Sequence, residues 1–330
     1  MSIRVLRPGL LTTLQDAGRH GLQHLGVSPG GAMDEISLAL ANALVGNAPD
    51  EAALELTVIG PELQFEHDCL VAVCGAEFHG GFPHNRPVMV KAGTRYSVGR
   101  AVRGARAYFA VAGGFALDAV LGSRSTFIPG GFGGLEGRAL KHGDVLPLHE
   151  KSAVLSRERF ARLKAKAGET VRWSAPPLTL PDREPILIHV IEGQHYASFE
   201  PVSQRAFVDA VWRVAPDSNR MGFRLQGPPI ERVKEGPGSD EILSGPTSLG
   251  SVQVPSGGVP IALMADHQTT GGYPRIAEIV SADVPRLAQL APGGKVHFAR
   301  CSRETAVELR RHLRERLETA LRGIAWSYGH

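Results

Sequence analysis

Short apolar runs, broken at close intervals by glycine and proline, set the pattern of this chain. Leu70 to Cys74, Val88 to Val90, Ala107 to Ala112, Ile186 to Ile191, Val252 to Val254 and Pro260 to Ala265 are too brief for helices and read as strands. Gly80-Gly81, Pro129-Gly130-Gly131, Gly133-Gly134 and Ser256-Gly257-Gly258 mark turns between them. Helical spacing is convincing in three places. After Asp34, which can cap a helix, Ile36, Leu40, Ala43 and Leu44 form an apolar stripe that Gly46 ends. Ser156 to Ala167 is a basic helix. From a Ser302 cap to about Leu321, the residues Ala306, Leu309, Leu313, Leu317 and Leu321 face inward and arginines face out.

A weak repeat organises these runs. Leu56-Thr57-Val58-Ile59-Gly60-Pro61-Glu62-Leu63 is echoed by Phe223-Arg224-Leu225-Gln226-Gly227-Pro228-Pro229-Ile230, and Gly143-Asp144-Val145-Leu146 by Gly294-Lys295-Val296-His297. With 39 glycines and 23 prolines the chain is unsuited to a helical bundle, and 330 residues exceed a usual single core. The reading is a mainly β protein of two related barrel domains, residues 1–150 and 185–300. A linker over 151–184 carries the basic helix, Pro176-Pro177 and Pro181 and leads into Pro185, and residues 301–330 form a final helix.

Charge and cysteine narrow the class. The net charge is +3 and the basic residues are scattered apart from one C-terminal cluster, so no nucleic-acid partner is expected. Met1 to Val5 open no apolar leader, no run is long enough to span a membrane, and a cytoplasmic location is expected. The three cysteines, Cys69, Cys74 and Cys301, form no Cys-x-x-Cys pair and read as reduced, buried apolar residues.

Three polar clusters carry the candidate chemistry. Asp266-His267-Gln268-Thr269-Thr270-Gly271-Gly272-Tyr273-Pro274 follows an apolar strand directly, and its groups suit a polar ligand better than a core. Gln15, Asp16, Arg19, His20, Gln23 and His24 crowd ten positions flanked by glycine. There an arginine fork can grip a carboxylate or phosphate, or Asp16 can pair with Arg19 to fix a surface turn. In Asp217 to Arg224, Arg220 precedes a glycine and either faces a cleft or joins an inter-strand ion pair, while Arg224 reads as solvated. Asp34 reads as a cap rather than an acid catalyst.

Several chemistries lack their patterns. No Walker phosphate loop, Gly-x-Ser-x-Gly elbow or His-Glu-x-x-His pair occurs, Gly130 to Gly134 reads as a turn, and His79 with His84 lacks a third metal ligand.

The stretches Leu14 to Arg19, Gly30 to Asp34 with Ala41 to Asn47, Gly133 to Arg138, Ser218 to Gly222, Asp266 to Pro274 and Ile279 to Asp283 resemble one family, in order and over almost the whole chain. It is the family of the 5-oxoprolinase C subunit, also called KipA or allophanate hydrolase subunit 2, which is carboxyltransferase-like. The resemblance implies two tandem cyclophilin-like β-barrels with a few peripheral helices. It also implies a hydrolase complex with the A and B subunits of 5-oxoprolinase, the latter KipI-like, opening 5-oxoproline to glutamate at the expense of ATP.

On that reading Asp16, Arg19 and Asp266 are the catalytic candidates. Gln15, His24, Arg220, Gln268, Thr269 and Tyr273 are candidates for substrate or phosphate binding. Arg19 and Arg220 would meet anions, and Asp16 and Asp266 would orient them or share a magnesium ion that accompanies ATP. The scheme requires the two main clusters to meet in space. No resident metal is expected, and the chain lacks the Ala-Met-Lys-Met pattern for attached biotin; Lys91 reads as an exposed lysine. Two other readings stand beside it. One is a carboxyltransferase acting on urea or another small amide with a separate biotin carrier. The other is a noncatalytic KipA-like module that binds a KipI-like partner.

Overall fold

The computed structural model describes residues 1–149, 154–165, 170–233 and 242–329. The chain divides into two compact units. The first comprises Met1–Arg19, Gly30–Leu180 and Glu315–His330; the second comprises His20–Pro29 and Pro181–Arg314. Among the described residues no helix is long and apolar enough to cross a membrane.

The first unit carries β1 (Ser2–Arg7), β2 (Leu11–Gln15), α1 (Glu35–Val45), β3 (Ala53–Thr57), β4 (Glu62–Phe65), β5 (Cys69–Phe78), β6 (Pro87–Val90), β7 (Arg95–Ser97), β8 (Ala101–Val111), β9 (Val145–Pro147) and α2 (Val154–Ala165). Its strands lie in two antiparallel sheets, ordered β7-β4-β1-β9 and β2-β3-β8-β5-β6. One core of buried side chains serves both, with Ile3, Val5, Leu63 and Phe65 from one sheet meeting Leu54, Val71, Val73 and Phe109 from the other. Burying each such side chain contributes roughly 1.5–3 kcal/mol. β5 reads as a continuous apolar run because it is buried over nearly all its length.

The second unit carries β10 (Ile186–Glu192), α3 (Pro201–Asp209), β11 (Val211–Val214), β12 (Gly222–Gln226), β13 (Gly245–Pro246), β14 (Ser251–Gln253), β15 (Ile261–Leu263), β16 (Thr270–Gly271), β17 (Arg275–Ile279), α4 (Val284–Leu287) and β18 (Lys295–Arg300). Seven strands close into one barrel, β10-β17-β14-β15-β12-β11-β18, and β13 with β16 forms a separate two-stranded ribbon. The last helix, α5 (Arg303–Gly329), belongs to the second unit up to Arg314 and to the first from Glu315.

The fold is of the expected class, mainly β with few helices. The repeated Gly-Pro turns share a physical cause. A Cβ at Gly60 would lie 2.6 Å from Val98 Cβ, and one at Gly227 would lie 2.5 Å from the ring of buried Trp212. The closing strands differ, however. β9 pairs antiparallel with β1, with Ile3 opposite Leu146, whereas β18 pairs parallel with β10, with Ile188 opposite Phe298. Among the described strands, those of the second unit close into a single ladder and those of the first lie in two sheets.

The helices need correction in three respects. The basic helix spans Val154–Ala165 and belongs to the first unit; Ala167 lies outside the described residues. α3 is additional, begun by a proline at its first position and anchored by Phe207, whose ring stacks on Phe298. α5, Arg303–Gly329, lies within the expected 301–330, but its stripe Ala306, Leu309, Leu313, Leu317 and Leu321 is only half-buried, while Ala320 and Ile324 are buried. α1 is as expected: Asp34 accepts from Ser37 N at 3.0 Å, and Gly46 ends the helix at φ 82°. Cys69 and Cys74 are buried, but Cys301 is only partly so.

Candidate functional site

In the first unit, β2 delivers Gln15 and Asp16 to a loop that begins after Val120. Asp16 accepts from Ser123 Oγ at 2.6 Å, Gly18 N at 2.8 Å, Ser125 Oγ and the Arg124 amide. Burial pushes this carboxyl up, but the two hydroxyls and two amides outweigh it and hold it below the ordinary carboxylate value. Arg19 is 1% exposed; its Nη2 donates to the Ser125 carbonyl, and its guanidinium lies 4.9 Å from the centroid of Phe132. Gln15 donates through Nε2 to Thr13 Oγ1 at 3.0 Å and to the Thr126 carbonyl at 3.1 Å, while its Oε1 has no hydrogen-bond partner among the described residues.

The glycines of the following loop are packed onto this cluster. A Cβ at Gly133 would lie 2.1 Å from the Ser125 carbonyl oxygen and 2.7 Å from Arg19 Nη2, and Gly133 sits at φ +72°. Asp16 and Arg19 thus grip the same loop from two sides. Ser123, Ser125 and Thr126, which hold the other ends of these bonds, are more than a hundred residues away in sequence. Serine and threonine in a loop carry no pattern that announces such a role.

In the second unit, Arg220 ends the turn before β12 and Asp266 follows β15, which pairs with β12. Their side chains form a fork, Nε to Oδ2 and Nη2 to Oδ1, both at 2.9 Å, with the residues 5% and 2% exposed. The Asp266 amide also donates to the Arg220 carbonyl at 2.8 Å, so backbone and side chains register together. Arg220 is therefore in an inter-segment ion pair. Arg224 is exposed and pairs with Asp217 at 2.9 Å.

The rest of the segment is tied by side-chain bonds. His267 is buried, with Nδ1 2.7 Å from the Gln268 carbonyl oxygen; burial lowers its pKa, against the hydrogen bond to that carbonyl and the charge of Asp266. Thr247 Oγ1 donates to the same carbonyl, and Gln268 Nε2 donates to Gln253 Oε1 at 3.0 Å. Thr269 is half-buried, its carbonyl accepting from the Thr247 amide at 3.0 Å. Tyr273 is 51% exposed and borders a cavity of about 610 Å³ with Ile230, Arg232, Ile242, Pro255 and Pro274. His24 is exposed on a 3-10 turn, Gln23–Leu25, in the segment counted with the second unit. Gln253 and Thr247 escaped the sequence reading, because one lies inside an apolar strand and the other in a proline turn.

The structure thus gathers Gln15, Asp16 and Arg19 in the first unit and Arg220, Asp266 and Gln268 in the second. Both aspartates already accept hydrogen bonds. Asp16 is surrounded by N–H and O–H donors and Asp266 is forked by a guanidinium. Among the described residues no three acidic, histidine or cysteine side chains gather as metal ligands.

The sequence pattern of the carboxyltransferase domain, subdomain A and B, matches residues 25–300. The chain belongs to this family. It is 39% identical to the 5-oxoprolinase C subunit of Escherichia coli over 98% of both chains, and 37% identical to the protein of the same name from Haemophilus influenzae over 91% of both. The crystal structure of the K. lactis urea amidolyase superposes with a TM-score of 0.85 at 32% identity, over 97% of this chain and 20% of that one. This chain therefore spans about a fifth of that larger protein.

Proposed function

We propose that the chain is one subunit of a cytoplasmic, ATP-dependent 5-oxoprolinase that opens 5-oxo-L-proline to L-glutamate together with the A and B subunits of that enzyme, the latter KipI-like. The observation that carries this reading is the end-to-end match to the enzyme's C subunit. The second unit supplies the candidate substrate site. Asp266 is a positioning residue: its fork fixes Arg220 at the foot of the segment that ends at Tyr273. Gln268, Thr269 and Tyr273 offer neutral polar groups to a small amide and its carboxylate.

A lactam carbon is a poor electrophile, and ATP, when bound, would supply a phosphoryl group that opens it to water. The occupied aspartates favour ATP and its magnesium being held by a partner in the complex. Asp16 and Arg19 take a positioning role for the 120–133 loop of the first unit.

Purified chain, its two partners, ATP and 5-oxoproline should yield glutamate, and omission of any one of the three proteins should abolish it. Tyr273→Phe should lower kcat/KM at an unchanged thermal midpoint. A folded, complete mixture that makes no glutamate refutes the reading. Membership of the carboxyltransferase family favours a second reading, carboxyl transfer to urea or another amide. That activity would need bicarbonate and a separate biotinylated protein, and no biotin on this chain.

A further inference from the structure

Gln253 is a buried carboxamide in a strand whose neighbours are core. It follows Val252 and precedes Val254, both buried, and is itself 2% exposed. Its Oε1 accepts from Gln268 Nε2 at 3.0 Å, and its Nε2 has no hydrogen-bond partner among the described residues. Exchanging N and O on Gln253 alone would face two amide donors together. Exchanging both amides would reverse the pair and still leave one Gln253 atom unpaired, so the orphan belongs to the site and not to the atom assignment. An unpaired buried amide is destabilising, and a leucine of similar size would avoid the cost.

The bond between the two carboxamides ties both side chains, and in either assignment one residue is left with a donor and the other with an acceptor; as assigned, the donor is on Gln253 and the acceptor on Gln268. No described hydrogen bond reaches Gln268 Oε1. One donor and one acceptor, carried by two bonded carboxamides, match in kind the carbonyl and the N–H of an amide edge. We propose that Gln253 and Gln268 together read the amide edge of the substrate, Gln253 Nε2 donating to its carbonyl oxygen and Gln268 Oε1 accepting from its N–H.

Gly271 covers this pair. A Cβ there would lie 2.6 Å from Gln253 Nε2 and 3.3 Å from Gln268 Nε2, so the bare Cα rests on both amide nitrogens. Gly271 belongs to β16, whose ladder with β13 is two residues long, Gly245 to Gly271 and Pro246 to Thr270. A two-stranded ribbon this short adds little stability of its own. The ligand class is a small amide with a free N–H next to its carbonyl, a description that fits both a lactam and urea.

This inference rests on the reading that the segment from Asp266 to Pro274 holds the substrate. Its test uses the assembled complex with ATP, 5-oxoproline as substrate, and 2-pyrrolidone and N-methyl-2-pyrrolidone as competitors. The wild type should be inhibited by 2-pyrrolidone about tenfold better than by the N-methyl lactam, which has no N–H to give Gln268. Gln253→Leu should raise KM for 5-oxoproline by about tenfold while raising the thermal midpoint of the isolated chain. Gln268→Leu, at a half-buried position, should abolish the preference between the two lactams.

A Gln253→Leu chain with unchanged KM and a lowered midpoint would make the residue merely structural and overturn the proposal. So would a wild type indifferent to N-methylation. If the wild-type complex makes no glutamate, the functional reading fails, and calorimetric binding of 2-pyrrolidone and of urea to the chain, with and without Gln253→Leu, still decides the carboxamide pair. Binding of neither overturns it; binding of urea alone that the variant loses supports it and assigns the site to carboxyl transfer.

Discussion

At the end of β2 an aspartate and an arginine are buried three residues apart, and the structure satisfies them with different groups of one loop. Asp16 takes hydroxyl and amide donors, and Arg19 takes a carbonyl and an aromatic face. Between β12 and β15 another arginine and aspartate, 46 residues apart, satisfy one another directly. The first arrangement ties an aspartate and an arginine to successive residues of one loop and so fixes it. The second concentrates two charges in one fork and so fixes the angle of a guanidinium beside a polar segment. The same two residue types thus brace a loop in one unit and orient a side chain in the other.

The largest effect should come from splitting the fork. Asp266→Ala removes the carboxylate opposite a buried guanidinium and should cost about 3–5 kcal/mol in urea denaturation, whereas Arg220→Met with Asp266→Leu should cost far less than the two single changes summed. If the single variant is as stable as the wild type, the pair does not anchor the second unit.

Asp16→Asn should cost about 2 kcal/mol, the scale of hydrogen bonds to a charged group. Its pH dependence sharpens the contrast. The folded-state pKa lies below the ordinary 3.8, so the contribution is complete above that value and is lost as pH falls through the folded one. Thermal midpoints of the wild type should therefore drop more steeply than those of Asp16→Asn below about pH 4.

A smaller effect is expected at His267, beside the fork. Burial lowers its pKa from 6.5, so the unfolded chain takes up the proton first and stability declines as pH falls from that value towards the folded one. His267→Gln should remove this slope in midpoints measured between neutral and mildly acidic pH. The smallest effect belongs to the exposed counterpart of the fork. Arg224→Ala, which breaks the pair with Asp217, should cost about 0–1 kcal/mol, and the cost should vanish in about 1 M salt.

The fold was legible where burial imposes a period. The apolar runs at Leu70 and Ile186 lie in β5 and β10, and Asp34 and Gly46 bound α1. β1, β2 and β4 were not distinguished, because in strands of four to six residues a few polar side chains hide the alternation. α3 was hidden for a related reason: with only Ser203 and Phe207 buried it shows no stripe. The polar segments at Gln15 and Asp266 stood out because such groups in a run break the apolar pattern of the strands beside them. Their partners did not, since Ser123, Ser125, Thr247 and Gln253 gain meaning only when a distant chain segment is laid against them. The Arg220–Asp266 fork needed the pairing of β12 with β15, which a linear reading does not supply.

The seam of the second barrel is a parallel ladder between residues 186–190 and 296–300. Because its two staves are the earliest and latest strands of the unit, the ring has no partial version that is free of open edges. A chain emerging from the ribosome must keep β10 unpartnered on that side until β18 arrives. Folding of this unit should therefore be late and all-or-none, and a chain cut before Lys295 should associate through its bare strands and not persist as a smaller barrel.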